Sequence, residues 1–253
     1  MVNTTTPVVN TTTPVVNTTT NDHWIGLLSG AQFNYNNPEE SDVTLDDIAS
    51  ALSNICRFSG HLPCFYSVAQ HLVNTSRLVK PSLALDALMH DTAEAFTNDL
   101  PTPLKWAIPA FKDLEAKIES AMSKKFGFNY PYHEDVKQAD TQMLILEKLY
   151  VKKDNRDWPL FRDIEVDHLF NLVDLTPWDP VRAKREFLER YEELKNGKRN
   201  EQVFRQTAPS TETAQPYRQG LEQSQVQTTR KRAPAPVPRD ETVARRYLRE
   251  FAG

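Results

Sequence analysis

The stretch from Phe65 to Asp91 constrains this chain more than any other. Val68, Leu72 and Val79 form an apolar stripe at helical spacing, and Lys80-Pro81 then interrupts it. Beyond the proline, Leu85, Leu88 and Met89 resume the stripe and lead into the doublet His90-Asp91. A break this short makes the two helices antiparallel neighbours. His71 lies nine residues before Lys80 and His90 nine after Pro81, so the bend brings the two imidazoles side by side. Taken singly, His71 reads as a packed histidine, and the doublet as a satisfied core histidine beside a solvated acid. Their pairing across the bend opens a second reading, as metal ligands.

The residues after the doublet add a carboxylate and a sharp exit. Glu94 follows Asp91 by three residues and His90 by four, spacings that share a face on a helix. The run breaks at Asn98-Asp99 and leaves through Pro101, Pro103 and Lys105. Charge buried on an apolar background is tolerated when it is paired or holds a metal.

The remaining periodic segments are all helical. Thr44 with Asp47 three residues on reads as a capping box, and Ile48, Leu52 and Ile55 follow at helical spacing, predicting a helix from 45 to about 57. Its stop is assigned to Gly60. Phe111, Leu114, Ile118 and Met122 predict a helix ending near Phe126-Gly127. Val136, Ala139, Met143 and Leu146 predict another from Glu134 to Val151, with Asp140 at the stripe's edge, where an acid reads most simply as exposed. Ala183, Phe187, Tyr191 and Leu194 predict a last helix ending at Asn196-Gly197. Residues 155–180 give no clear pattern. No alternating strand or hairpin signal stands out, so the expected fold is all-α, a helical bundle.

The ends differ from this body. Residues 1–21 hold a VNTTTPV repeat too polar to form a core, read as disordered. Residues 22–197 form the expected domain, 198–239 a disordered basic, proline-bearing linker, and 240–253 a short amphipathic helix that needs a partner to fold. Residues 1–195 carry 28 acids against 19 Lys and Arg, while 196–253 carry 11 bases against 6 acids. An acidic body argues against a nucleic-acid partner. Cys56 and Cys64 are too few for a disulfide framework and read as ordinary buried thiols in a reducing compartment. With no long apolar run, a membrane is not expected, and the cytoplasm, a virus-infected host's included, is the expected location.

His71, the His90-Asp91 doublet, an acid three residues on and the turn Asn98-Asp99-Leu100-Pro101-Thr102-Pro103-Leu104-Lys105 together resemble the HD-domain metal-dependent phosphohydrolases. The likeness spans roughly residues 24 to 195 and is closest to the 5'-deoxyribonucleotidase branch and its viral deoxynucleotide (dATP) hydrolase relatives. That branch has glycine where Asn98 stands, and asparagine is the next-best residue for a positive φ. The resemblance implies Asp140 as the fourth ligand beside His71, His90 and Asp91. It implies that Asp99 fixes substrate or assists proton transfer, and it matches Arg57-Phe58 to an Arg-aromatic pair.

Two imidazoles and two carboxylates suit a divalent ion, Mn²⁺, Co²⁺, Zn²⁺ or Mg²⁺. Glu94, outside the ligand set, is placed to orient or deprotonate a water or to protonate a leaving oxygen. Arg57, His61 and Lys105, in turns flanking the ligand segments, are candidates for the phosphate, and Phe58 for a base. The expected activity is removal of phosphate from deoxynucleotides, as a 5'-deoxynucleotidase or a triphosphate hydrolase. An alarmone-type pyrophosphohydrolase and a non-catalytic nucleotide-binding or adaptor module stay open beside it. Besides the nucleotide, the expected partners are further copies of the chain and a protein held by the tail.

Overall fold

The computed structural model of the chain describes residues 23–158 and 164–207, with side chains to 197. The repeat at 1–21, the residues of the linker beyond 207 and the terminal helix at 240–253 lie outside the described residues.

Helix α1, Leu45–Asn54, opens with the anticipated capping box. The Asp47 amide donates to Thr44 Oγ1 at 3.1 Å, and the Thr44 amide donates to Asp47 Oδ2 at 2.9 Å. The helix stops at Asn54, earlier than Gly60. Gly60 instead closes a turn in which Phe58, Ser59 and Gly60 all have positive φ, +55°, +51° and +77°.

Helix α2, Val68–Thr75, is capped by Ser67, whose Oγ accepts from the Gln70 amide at 3.1 Å. A 3₁₀ turn at Pro81–Leu83 leads into α3, Ala84–Leu88, and α2 packs against α3 as the hairpin spacing requires. The expected continuous helix through His90, Asp91 and Glu94 is interrupted. Residues 89–93 form a turn, and α4, Glu94–Thr97, starts afresh. The His90 ring explains the interruption: Nδ1 donates to the Ala87 carbonyl at 2.8 Å, taking an acceptor that a continuing helix would use. Asn98 terminates α4 with the expected positive φ, +64°, but its ψ of 165° lies outside the left-handed well that asparagine favours, in a region that suits glycine.

The proline-rich exit forms the short α5, Thr102–Ala107, before α6, Pro109–Phe126, which ends on left-handed Gly127 at φ +71°. Helix α7, Glu134–Leu146, passes into a π turn, Glu147–Val151. Helix α8 runs from Pro180 to Thr207. The sequence expectation ended it at Gly197, but one helical glycine costs only ~1 kcal/mol against alanine and does not stop a helix by itself.

Buried Ala183, Phe187 and Tyr191 of α8 close the core formed with Leu52, Leu72, Leu85 and Met122. Helix α8 packs against α1, α2 and α3. A smaller cluster of Met143, Ile145, Leu146, Val166 and Leu169 lies under the 3₁₀ turn Asp167–Leu172.

One element departs from the all-helical expectation. Strands β1, Trp24–Gly26, and β2, Gln32–Asn34, pair antiparallel with Ile25 opposite Phe33. Strands of three residues are too short to show alternation. Their value is local: Phe33, fully buried, stacks on Phe96 of α4 with ring centroids 3.8 Å apart. Cys56 and Cys64 are free and half-buried, so they are less enclosed than expected. Among the described residues no helix is long and apolar enough to cross a membrane.

Candidate metal centre

Three elements meet at the doublet. Helix α2 presents His71, the turn after α3 presents His90 and Asp91, and α7 presents Asp140. One ligand atom from each lies within 4.8 Å of the others. The two imidazole centroids are 5.4 Å apart, the side-by-side placement expected from the hairpin spacing. His71 Nε2 sits 3.1 Å from Asp140 Oδ1 and 3.7 Å from Asp91 Oδ2. His90 Nε2 sits 3.3 Å from Asp91 Oδ2 and 3.5 Å from Asp140 Oδ1.

These separations fit a metal. Ligand atoms held ~2.1 Å from a small divalent ion lie roughly 3.0–3.4 Å apart on an octahedron or tetrahedron. The donor set, two nitrogens and two carboxylate oxygens, suits Mn²⁺, Co²⁺ or Zn²⁺ better than a thiolate-seeking ion. Buried His90 Nε2 has no hydrogen-bond partner, and the ring's other nitrogen is already committed to Ala87. An imidazole whose Nδ1 carries the proton turns a lone pair at Nε2 towards the cluster.

Without an ion the two imidazoles hold protons more firmly in its place. Burial alone would push His90 down, but Asp91 and Asp140 outweigh it and hold His90 up at about 9. For His71, burial and the Arg57 charge act downward, and Glu147 and Asp140 raise it nonetheless. Burial would raise Asp140, yet the two imidazoles keep it well below the usual carboxylate range.

Glu94 stands at the cluster's edge, buried, with Oε2 lacking any hydrogen-bond partner. Burial, then the charges of Asp91 and Asp99, push its carboxyl well above the ordinary value, against the pull of Arg57 and Lys105. Lys105 Nζ lies 3.7 Å from Glu94 Oε1 and 2.7 Å from Glu115 Oε1. Arg57 is buried and reaches Asp91 with NH1 at 3.9 Å. Asp99 Oδ2 accepts from the Phe58 amide at 3.2 Å, so it pins the left-handed turn that carries Phe58. Two cations lie near the Phe58 ring, Arg57 Cζ at 5.8 Å and Lys152 Nζ at 5.3 Å from its centroid. His61 is not brought to the cluster. It is exposed and lines a separate surface cleft of about 530 Å³ with Lys152, Lys153 and Arg156.

Two buried acids were missed from the sequence. Glu147, fully buried, accepts from Arg57 Nε at 2.9 Å and faces His71 Nδ1 at 2.8 Å. Its seven-residue offset from Asp140, two helical turns, was the available signal. Glu119 accepts from the Ala93 amide at 2.7 Å and from the Tyr132 hydroxyl. In a lysine-bearing amphipathic helix, nothing distinguished it from a solvated acid.

The family model described as 5'-deoxynucleotidase YfbR-like matches residues 64–151. That stretch holds the four clustered residues, Glu94, Asp99, Lys105 and Glu147, whereas Arg57, Phe58 and His61 precede it. The uncharacterised protein YfdR of Escherichia coli (strain K12) is 41% identical over 172 residues, covering 68% of this chain and 95% of YfdR. An uncharacterised protein of Rhodobacter capsulatus is 28% identical over 165 residues, covering 60% of this chain and 81% of that protein.

Proposed function

Because the chain belongs to the YfbR-like 5'-deoxynucleotidase family of HD-domain proteins, we propose that it removes the 5'-phosphate from deoxynucleoside monophosphates with a divalent metal. The observation that carries the reading is the convergence of His71, His90, Asp91 and Asp140 within 4.8 Å, with a buried carboxyl of raised pKa beside them.

His71, His90, Asp91 and Asp140 would hold the ion. When bound, the ion supplies a water of lowered pKa and a Lewis acid for a phosphoryl oxygen. In phosphoryl transfer most of the remaining work is positioning and charge neutralisation. Arg57, held charged by Glu147, Asp99 and Asp91 against the cost of its burial, faces the anionic phosphate. Lys105 adds a second cation on the Glu94 side. Glu94, its carboxyl pushed up by burial and by the charges of Asp91 and Asp99, delivers a proton to the leaving 5'-oxygen, so that departure does not generate a free alkoxide. Asp99 keeps Phe58 in its left-handed turn, where the ring can line the sugar or base.

The test is a panel of deoxynucleoside mono-, di- and triphosphates and an alarmone with Mn²⁺, Co²⁺, Zn²⁺ or Mg²⁺, products separated by chromatography. Inorganic phosphate from monophosphates alone supports the reading. Triphosphate or pyrophosphate as product replaces it with the corresponding hydrolase. Binding without turnover under every metal leaves a nucleotide-binding module, and comparison with residues 21–197 alone reveals whether the tails carry the role.

A further inference from the structure

Helix α7 grips the His71 ring at both ends. Asp140 Oδ1 stands 3.1 Å from Nε2, and Glu147 Oε1 stands 2.8 Å from Nδ1. Glu147 lies where α7 turns from α to π geometry, a transition that often marks a functional position. Its second oxygen accepts from Arg57 Nε at 2.9 Å, and both partners are buried. One carboxylate therefore touches a residue of the metal cluster and the guanidinium that reaches Asp91.

We propose that Glu147 is a positioning residue that sets the tautomer of His71 and the reach of Arg57 together, so that metal affinity and phosphate affinity share one anchor. The inference rests on the metal part of the function proposed above. A neutral imidazole carries one proton, and a carboxylate at Nδ1 keeps it there, leaving the Nε2 lone pair for an ion. The same carboxylate orients the Arg57 fork and offsets its charge. Glutamine has the same shape but only one acceptor oxygen, and its NH₂ sets a donor against the N–H of His71 or of Arg57, so one contact is lost and the other loses the carboxylate's charge. Aspartate keeps the charge on a side chain one methylene shorter and reaches neither.

The experiment uses the full chain carrying Glu147→Gln or Glu147→Asp, each checked for fold by circular dichroism. Zn²⁺ affinity is read by competition with a chelating dye. Exchange of the His71 Nδ1–H is read in the ¹⁵N spectrum of the Zn²⁺-loaded protein. Inorganic phosphate is then titrated at saturating Zn²⁺. Expected results are a roughly 10- to 100-fold loss of Zn²⁺ affinity, faster Nδ1–H exchange and weaker phosphate binding in both variants. Wild-type Zn²⁺ affinity with a protected Nδ1–H in the folded variants would overturn the proposal. Loss of Zn²⁺ affinity with unchanged phosphate binding would overturn the shared anchor. A wild-type chain that binds neither Zn²⁺ nor Mn²⁺ would instead remove the metal reading itself, and this inference with it.

Discussion

The two histidines of the cluster are supported in opposite ways. His71 sits inside a regular helix, and its outer nitrogen is held by a side chain, Glu147, which is itself held by Arg57. His90 sits in a turn, and its outer nitrogen is held by the backbone, through the Ala87 carbonyl. A second buried glutamate works behind that turn without touching the ring: Glu119 accepts from the Ala93 amide, while Tyr132 bonds Glu119 and lies 3.2 Å from the Met89 carbonyl. Among the described residues no lysine or arginine pairs with Glu119, and burial pushes it up to about 8. An acid set against a guanidinium can polarise an imidazole as an anion. An acid with no cation is kept neutral and serves as a hydrogen-bonding strut. The first support can be mutated directly, whereas the second is written into the main chain.

Removing the rings should separate these supports most strongly. His71→Ala and His90→Ala should each abolish stoichiometric metal binding and with it the activity. In the metal-free form their costs should differ. His71→Ala leaves the buried Glu147 carboxylate, still paired with Arg57, one hydrogen bond short, at about 3 kcal/mol or more, whereas His90→Ala forfeits one bond to a neutral carbonyl, about 1–3 kcal/mol. Urea unfolding of both chelated variants makes the comparison, and equal losses would erase the distinction.

Glu94→Gln leaves both supports intact and tests the chemistry alone. It should keep one metal per chain and the wild-type melting temperature while lowering kcat by ~10²–10⁴. Metal content and single-turnover rate on one preparation decide it, and undiminished turnover would shift the proton to Asp99.

Protonation should tell the metal-free and metal-loaded states apart. His90 rises from 6.5 unfolded to about 9 folded, so its contribution is fully present below pH 6.5 and lost as pH climbs through 9. The melting temperature of the chelated protein should therefore fall across that window, by an equivalent of at most about 3 kcal/mol. Metal displaces the same proton, so affinity should grow with pH over the same range, and calorimetry in buffers of different ionisation heat should register the release.

The strut has a pH signature of its own. The Glu119 carboxyl titrates at 4.5 when unfolded and about 8 when folded. Between those values the folded chain holds the extra proton, so stability declines with rising pH, by about 1.4 kcal/mol per unit. Glu119→Gln should flatten that slope and gain on wild type at pH 8 but not at pH 4.5. Parallel losses at both pH values would mean that Glu119 works as an anion after all.

Much of this arrangement was legible before any coordinates. Apolar periodicity gave the principal helices, Thr44 and Asp47 gave a cap, and the symmetric spacing about Lys80-Pro81 put His71 beside His90. Asn98 was readable because few residues accept its φ. The interruption at residues 89–93 was not, since a side chain competing for a backbone carbonyl leaves no periodic trace. Glu147 and Glu119 were hidden for a related reason. A buried acid looks like a solvated one until its partners are known, and Arg57 is 90 residues from Glu147. The β1–β2 pairing escaped because three-residue strands carry almost no pattern.

The long reach of α8 bears on how the protein is made. All four cluster residues have been made once Asp140 is synthesised, yet the core beneath α2 is closed by Ala183, Phe187 and Tyr191. Contacts between α8 and α1 join segments more than a hundred residues apart, and such distant closures are slow to form. During synthesis the histidine-bearing hairpin therefore waits with an apolar face exposed to chaperones and to stray ions alike. Released chains ending before Pro180 and after Thr207 should differ sharply in protease resistance, with the metal-competent state appearing only in the longer one.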